Sequence, residues 1–250
     1  MRRPDAPPPF ILKRLVPSAK KRLYALVSRG DFVLRRRSGA VFLLNPANFV
    51  DRQILFYDDF EQAQKQVFME QIRKHDCDLF VDVGANLGYY SILLALAVPN
   101  LEIVVFEPDR RNRLQMGANM FMNGVADRIT LLDKAVSDRS GTVSFVPAAA
   151  TSTGQSKVAE GPGAVSIPAV ALDDALPVSG RRIAVKMDIE GFEAVAVRGM
   201  RRLIAENQVV MQVECFEHNH AALDEQMRAM GMRLLRSIDE DRYYTSSVNW

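Results

Sequence analysis

Short apolar runs and helix-like spacings alternate along most of this chain. From residue 78 onward, runs of four to seven largely apolar residues suit strands of a parallel sheet buried on both faces. Five such strands are predicted, at 79–83, 101–106, 129–132, 183–187 and 209–215. Elsewhere apolar residues recur every three or four positions, as on one face of a helix. Four helices are predicted there, at 89–98, 111–123, 192–205 and 221–230.

Strands that alternate with helices at this spacing predict a doubly wound α/β fold with right-handed crossovers. Two further strands, at 233–238 and 242–248, are expected to close the sheet as an antiparallel pair. The predicted fold class is therefore α/β, with a mostly parallel, seven-stranded sheet. On the helix at 111–123, the spacing predicts that Leu114, Ala118 and Phe121 face inward.

Before the alternating region, the pattern predicts a β-hairpin that turns at Ser38–Gly39, followed by a helix at 61–74. Between the third and fourth strands, residues 148–163 are rich in Ala, Ser, Thr and Gly, as in a flexible surface loop or a lid beside an active site. We predict one domain with an N-terminal extension. Its parts are the partly disordered or helical extension at 1–30, the hairpin and helix at 31–76, and the cofactor-binding core at 78–250.

Composition and charge narrow the class of protein. Hydrophobic residues make up 48% of the chain and charged residues 25%, as in ordinary soluble proteins. Residues 1–37 hold eleven Lys and Arg against two acids, a charge of +9, which leaves −7 on residues 38–250. An acidic body argues against nucleic acid as the main partner, whereas the basic start suits peripheral contact with anionic lipid. With only Cys77 and Cys215, a reducing cytoplasm is the expected location.

The run DVGANLGYY at 82–90 follows the first predicted parallel strand directly. Gly84 would let the backbone turn sharply out of the strand, and Gly88 would let the helix approach a ligand without a Cβ in the way. Asp82 adds a carboxylate at the strand end. The next strand-end acid, Glu107, is placed to accept both hydroxyls of a ribose. These residues predict a site for a nucleoside cofactor. The alternative is that the two glycines only form a tight structural turn.

The spacing of the glycines favours one nucleoside over another. A dehydrogenase fingerprint, G-x-G-x-x-G, brings backbone amides close to a pyrophosphate. Here the spacing is G-x-x-x-G, Asn86 stands where the middle glycine belongs, and Asp82 adds negative charge. Those features suit a cationic sulfonium better than a pyrophosphate. We therefore predict S-adenosylmethionine as the cofactor, with an NAD-dependent oxidoreductase as the alternative.

The chain resembles the FkbM family of class I S-adenosylmethionine-dependent methyltransferases. The resemblance implies a Rossmann-like fold and O-methylation of a hydroxyl on a saccharide or secondary-metabolite acceptor. It also implies that the segment after the third strand lines the adenine, with Ala135 and Asp138 among its contacts. It rests on VDVGANLGYYS (81–91), VVFEPD (104–109), Asn119 with Asn123, KAVSD (134–138), VALDD (170–174), VKMDIEGFEAVAVRGM (185–200) and VVMQVE (209–214).

The predicted cofactor-binding residues lie at the carboxyl ends of the strands. They are Asp82, Gly84, Ala85, Asn86, Gly88, Tyr89, Glu107, Pro108, Ala135, Asp138 and Asp188. A neutral alcohol must lose its proton as it attacks a methyl group, so a general base is expected. The candidates near the later strand ends are Asp188, Glu190, Glu214 and His218.

Simpler interpretations stay open for several of these residues. Glu193 suits the start of a helix, Glu190 a loop cap, and His218 a solvated surface. Lys186, in mid-strand, is expected to pair with one of the acids. The spacing of the acids does not require a metal ion, so none is predicted. A third functional hypothesis is a non-catalytic cofactor-binding protein that acts at a membrane surface through its basic N-terminus.

Overall fold

A seven-stranded sheet forms the centre of the computed structural model, which describes residues 32–57 and 60–246. In spatial order its strands are β12 (Met232–Ile238), β13 (Asp241–Ser246), β11 (Gln208–Glu214), β10 (Arg182–Met187), β3 (Leu79–Val83), β4 (Glu102–Phe106) and β5 (Ile129–Leu132). The five strands from β11 to β5 run parallel, while β13 runs antiparallel to β11 and to β12. The predicted fold class is confirmed, and the strand order reverses between β3 and β10, where such sheets bind ligands.

Helices cover both faces of this sheet. Alternate side chains of a strand point to opposite faces, so Phe80 enters one buried cluster, while Leu79, Val81 and Val83 enter the other. The helices are α1 (Phe49–Phe56), α2 (Gln62–Lys74), α3 (Tyr89–Ala97), α4 (Arg110–Met122), α5 (Leu172–Ala175), α6 (Glu193–Ala196), α7 (Arg201–Glu206) and α8 (His220–Ala229). Short 3₁₀ segments occupy Ala126–Arg128, Thr153–Gln155, Val197–Met200 and Glu217–Asn219. The helix predicted at 192–205 is thus interrupted by a 3₁₀ turn.

The N-terminal hairpin consists of β1 (Val33–Arg37) and β2 (Ala40–Leu44), with its turn at Ser38–Gly39 as predicted. No strand pairs with the outer edge of β2 in the described residues. Asn119 and Asn123 of α4 bind it instead. The Asn119 Oδ1 atom accepts from the Leu43 amide at 2.7 Å, and the Asn123 side chain bonds both backbone groups of Val41. The Asn pair therefore secures the hairpin to α4 and its C-terminal end.

The predicted inward face of α4 is wrong. Leu114 is 60% exposed and Phe121 81% exposed, and Ala118 is only partly buried. The buried face carries Asn112, Met116, Asn119 and Met120. Because that face must hydrogen-bond the free edge of β2, it is partly polar, and an apolar periodicity alone selects the wrong side.

The segment at 148–163 belongs to a second, four-stranded sheet that the sequence pattern did not predict. Its order is β6 (Ala135–Val136), β9 (Val165–Val170), β7 (Gly141–Val146) and β8 (Lys157–Val158). The segment lies against α1, also unpredicted. The Phe49 amide donates to the Thr151 carbonyl at 2.9 Å, and Asn48 Nδ2 donates to Thr153 Oγ1 at 2.7 Å. Both contacts tie 148–163 to the start of α1.

The extension at 1–30 lies outside the described residues, so its predicted conformation and its predicted lipid contact stay predictions. Across 32–57 and 60–246, every helix is too short or too polar to cross a lipid bilayer.

Candidate active site

A cleft of about 270 Å³ opens at the carboxyl ends of β3, β4, β10 and β11. It contains most of the residues predicted from the sequence. Those lining it are Asp82, Gly84, Ala85, Asn86, Tyr89, Glu107, Pro108, Ala135, Asp188, Glu190 and Glu214. The strand-end side chains are therefore brought together at the point where the strand order reverses.

Gly84 fixes the position of three strand ends. Its φ of +83° is a left-handed value that glycine adopts readily, and its amide donates to the Phe106 carbonyl at 2.9 Å. A Cβ at this position would lie 1.9 Å from the backbone carbonyl oxygen of Asp188. The Asp188 amide in turn donates to the Val83 carbonyl at 3.0 Å. The turn at Gly84 thus lets β10 bring Asp188 against the end of β3.

Gly88 has a role in the packing of two helices. It lies outside the cleft as the described residues form it, with a left-handed φ of +85° at the start of α3. A Cβ there would lie 2.7 Å from Met116 Cγ. Gly88 therefore permits the close approach of α4, and its predicted role toward a ligand stays a prediction.

Glu107 joins the two loops that follow β3 and β4. One carboxylate oxygen accepts from the Asn86 amide at 2.8 Å and the other from the Asp109 amide at 2.7 Å. Burial raises the pKa of Glu107 to about 7, although these amides oppose the shift. The Asn112 side chain also lies within reach of this carboxylate and lowers its pKa. The carboxylate is thus held from several sides and keeps part of its capacity to accept hydroxyl groups.

Asp82 is buried, and only one of its two carboxylate oxygens accepts a hydrogen bond from the described part of the chain. Its Oδ2 atom accepts from the Ser91 hydroxyl at 2.5 Å, while Oδ1 has no hydrogen-bond partner among the described residues. Burial raises the pKa of Asp82 to about 6, against the attraction of Lys186. An unpaired buried carboxylate oxygen is costly unless a donor or a cation reaches it. Asp82 is therefore a position where a cationic ligand would be favoured.

Lys186 is the central cation of the cleft. Its side chain is buried, with Nζ 3.0 Å from Asp188 Oδ2 and 5.0 Å from the centre of the Tyr90 ring. Burial lowers the pKa of Lys186, but nearby acids, Asp188 and Glu61 foremost, outweigh it and hold that pKa above its usual value. The predicted pairing of Lys186 with an acid is confirmed.

Two further acids beside Asp188 hold their protons more tightly than usual. The charge of Asp188, followed by burial, raises the pKa of Glu214 well above its ordinary value. Burial and the same charge raise the pKa of Glu190 to about 7. Glu190 also has a left-handed φ of +56°, at the turn after β10. The turn after β10 therefore presents one carboxyl group, that of Glu190, suited to exchanging a proton near neutral pH.

Glu193 serves the loop and not the cleft. Its Oε1 atom accepts from the Ile189 and Gly191 amides at 3.1 and 3.0 Å. It begins α6, as the simpler interpretation of the sequence proposed. The carboxylate holds the turn that carries Glu190.

Two other predicted residues lie outside the cleft as the described chain forms it. Asp138 lies near Arg139 and Arg198, 3.7 Å from each. His218 is exposed and stacks on Phe216, with 5.8 Å between ring centres. This placement agrees with a solvated surface histidine.

Several cleft residues were missed by the sequence interpretation. They precede β3 or belong to the segment at 148–163, namely Phe49, Val50, Gln53, Phe60, Glu61, Thr153, Gly154 and Gln155. A signal for α1 was present, because Asn48 caps it and Ile54 and Leu55 form its buried side. No comparable local signal marks Glu61. Within the described residues, no cluster of three or more His, Cys, Asp or Glu side chains is arranged to hold a metal ion.

Two known proteins have sequences similar to part of this chain. The 2-O-methyltransferase NoeI of Sinorhizobium fredii is 24% identical over 153 residues, 53% of this chain and 61% of NoeI. The AMB antimetabolite synthetase AmbE of Pseudomonas aeruginosa is 25% identical over 114 residues, 42% of this chain and 5% of AmbE. The chain thus spans less than two thirds of either relative.

A solved structure shows the same fold. The SAM-dependent methyltransferase from Agrobacterium tumefaciens matches with a TM-score of 0.54 and 9% identity, over 88% of this chain and 71% of that one. The family model described as the methyltransferase FkbM domain matches residues 82–234. This segment includes the end of β3 and the whole of β4, β5, β10 and β11 in the large sheet. The chain therefore belongs to the FkbM methyltransferase domain family.

Proposed function

We propose that this protein is an S-adenosylmethionine-dependent methyltransferase that methylates a hydroxyl group of a saccharide or secondary-metabolite acceptor. The observation that carries the proposal is the cleft itself, where Glu107 and Asp82 present free acceptor capacity at the reversal of strand order. Family membership supports methyl transfer. The name of the relative NoeI, a 2-O-methyltransferase, supports a hydroxyl as the acceptor.

The residues present fit S-adenosylmethionine. Glu107 would accept the ribose hydroxyls, since backbone amides fix both of its oxygens toward the cleft end of β4. Asp82 would face the cationic amino-acid end through its unpaired oxygen. Ala135, which lines the cleft after β5, would lie along the adenine. When bound, the cofactor supplies a methyl group already activated by a positively charged sulfur.

The charge of the cleft separates this cofactor from a dinucleotide. Around Lys186 stand the acids Glu61, Asp82 and Asp188, besides Glu214, which holds its proton, so acid groups outnumber this cation. A pyrophosphate would be repelled there, whereas a sulfonium and an ammonium group would be attracted. This balance disfavours the NAD-dependent alternative.

For the general base we propose the pair formed by Asp188 and Glu214. The charge of Asp188, followed by burial, raises the pKa of Glu214. A carboxylate of this pair would accept the proton of the acceptor hydroxyl as the hydroxyl oxygen attacks the methyl carbon. A positioned base typically contributes roughly 10²–10⁴-fold to the rate. His218, exposed and outside the cleft, is not needed for this step.

Thermal unfolding with two ligands tests the cofactor. S-adenosylhomocysteine should raise the midpoint of unfolding, because a ligand that binds only the folded state stabilises it. NAD at the same concentration should leave the midpoint unchanged. A rise with NAD alone, or no heat of binding with S-adenosylhomocysteine in calorimetry, would contradict the proposed function.

A further inference from the structure

Strained backbone conformations concentrate around the cleft. Six described residues other than glycine have a left-handed φ: Ser38, Glu61, Asp76, Asn86, Glu190 and Asp239. Three of them, Glu61, Asn86 and Glu190, line the cleft. Such conformations are unfavourable for residues with a Cβ and persist where the surrounding structure enforces them, often at functional sites. Asn86 and Glu190 belong to loops already assigned to the site, whereas Glu61 does not.

Glu61 stands at the N-terminus of α2, with φ and ψ of 46° and 35°. Within the described residues its side chain does not cap the helix, although a carboxylate at this position commonly does. The side chain is partly buried and lines the cleft instead. The strained backbone therefore directs the carboxylate toward the ligand space.

A hydrogen-bonded network lies behind this carboxylate. Burial raises the pKa of Glu61, and the nearby Tyr90 hydroxyl, which can donate to the carboxylate, opposes that rise. Tyr90 in turn accepts from Gln212 Nε2 at 3.5 Å, and the same Gln212 group donates to Asp241 at 2.8 Å. The network reaches from β13 through β11 and α3 to the start of α2. Such support is typical of a side chain whose orientation matters for binding.

The charged neighbours of Glu61 differ from those of Glu107. It feels the charges of Lys186 and Asp188, whereas Glu107 binds the amides of Asn86 and Asp109. Glu61 also follows Phe60, and this ring and Phe49 line the same cleft. Aromatic rings beside a carboxylate suit a neutral, hydroxyl-bearing molecule with one apolar face.

We propose that Glu61 binds and orients the methyl acceptor by accepting a hydrogen bond from one of its hydroxyls, while Phe49 and Phe60 pack against its apolar face. This inference rests on the proposed methyl transfer. It assigns the recognition of the acceptor to a residue that precedes the segment matched by the family, residues 82–234.

The test uses Glu61→Gln, with Glu70→Gln as the matched control on an exposed position of α2. Small-molecule extract from a strain that lacks this gene serves as the acceptor, because the unmethylated acceptor should accumulate there. Transfer of tritium from methyl-labelled S-adenosylmethionine is measured over a dilution series of the extract. Calorimetry with S-adenosylhomocysteine measures cofactor affinity separately.

For Glu61→Gln, the amount of extract that gives half-maximal transfer should rise about tenfold or more, the loss expected for a hydrogen bond to a charged group. Affinity for S-adenosylhomocysteine should stay within about twofold of the unmodified protein, as hydrogen bonds to that ligand are assigned to other residues. Tyr90→Phe, which keeps the ring and removes the hydroxyl between Gln212 and Glu61, should raise the half-maximal amount by a smaller factor. Glu70→Gln should match the unmodified protein in both measurements.

The outcomes separate this inference from the proposed function. If Glu61→Gln follows the same dilution curve as Glu70→Gln, Glu61 does not bind the acceptor. If it loses affinity for S-adenosylhomocysteine as strongly as it loses transfer, Glu61 belongs to the cofactor site and the inference is again overturned. If the unmodified protein neither binds S-adenosylhomocysteine nor transfers label, the proposed function itself fails. Should Glu61→Gln not fold, Tyr90→Phe decides the matter by the same criteria.

Discussion

The two walls of the cleft are built in different ways. The inner wall consists of the loops after β3, β4 and β10, with Gly84, Glu107 and Asp188. The outer wall consists of α1, the start of α2 and residues 152–158. In the inner wall backbone groups bond one another directly, as between Gly84 and Phe106. In the outer wall side chains make many of the contacts, and Phe49 is 52% exposed.

This difference separates the two tasks of a methyltransferase. The inner wall falls almost entirely within the segment matched by the family, whereas α1 and α2 precede it. A shared cofactor needs an invariant geometry, and backbone contacts provide it. A particular acceptor needs a surface that can change by substitution of side chains. We therefore expect the inner wall to tolerate change poorly and the outer wall to tolerate it well.

The largest effect is expected from Gly84→Ala in the inner wall. The new Cβ would lie 1.9 Å from the Asp188 carbonyl oxygen, a backbone atom that cannot rotate away. Overpacking and the left-handed φ together should lower the free energy of unfolding by about 4 kcal/mol. Urea denaturation followed by circular dichroism measures this loss.

Two other glycines serve as controls for that experiment. Gly154→Ala in the outer wall would place a Cβ 2.9 Å from Val50 Cγ2, a side-chain atom that can move, so about 1 kcal/mol is expected. Gly124→Ala has a left-handed φ of +65° but open space around it, which isolates the backbone cost, again about 1 kcal/mol. Equal losses for Gly84→Ala and Gly154→Ala would remove the proposed contrast between the walls.

The inner wall was largely predictable because its signals are local. Gly84 and Asp82 adjoin a run of apolar residues, and Glu107 ends the next run, so strand ends and acids can be identified together. The outer wall depends on distant contacts. Asn48 meets Thr153, 105 residues away, and β8 has only two residues, held by pairing with β7. Short elements of this kind carry no periodicity, since tertiary contacts and not local preference form them.

The prediction of the buried face of α4 was wrong for a related reason. Its buried side supplies Asn119 and Asn123 to the free edge of β2, so polar residues lie inside and Leu114 and Phe121 outside. The strand β2 lies far earlier in the chain, so the sequence of the helix alone does not reveal that the backbone groups at the edge of β2 require partners. Likewise, the strained backbone that turns Glu61 into the cleft follows from packing and leaves no mark in the residue sequence.

A change of pH is expected to have an intermediate effect on the free energy of unfolding, through the titration of Glu107 in the inner wall. Its pKa is about 7 in the folded protein against an ordinary 4.5, so the folded state holds the proton more tightly than the unfolded state. The free energy of unfolding should therefore fall as pH rises from about 4.5 to about 7, by as much as about 3 kcal/mol from this group. Denaturation of the ligand-free protein across that range measures the slope.

Glu107→Gln should flatten this dependence, because the substituted side chain does not titrate. The slope should not vanish, since burial also raises the pKa of Asp82 and of Glu190. Glu102→Gln, at an exposed position on β4, is the control and should keep the full slope. A Glu107→Gln protein with an unchanged slope would show that burial does not govern this carboxyl group.

The smallest effect is expected behind the inner wall, on α4. Phe121→Ser should change the free energy of unfolding by no more than about 0.5 kcal/mol, because the ring is 81% exposed and the two residues have similar helix propensities. Met120→Ser, one position earlier, should cost about 3 kcal/mol, since Met120 is buried in the core beside Met116, whose side chain packs against Gly88. The same denaturation assay compares the pair. A loss for Phe121→Ser as large as that for Met120→Ser would mean that the apolar periodicity of α4 identified its buried face after all, and that the Asn119 and Asn123 bonds to β2 do not fix the orientation of the helix.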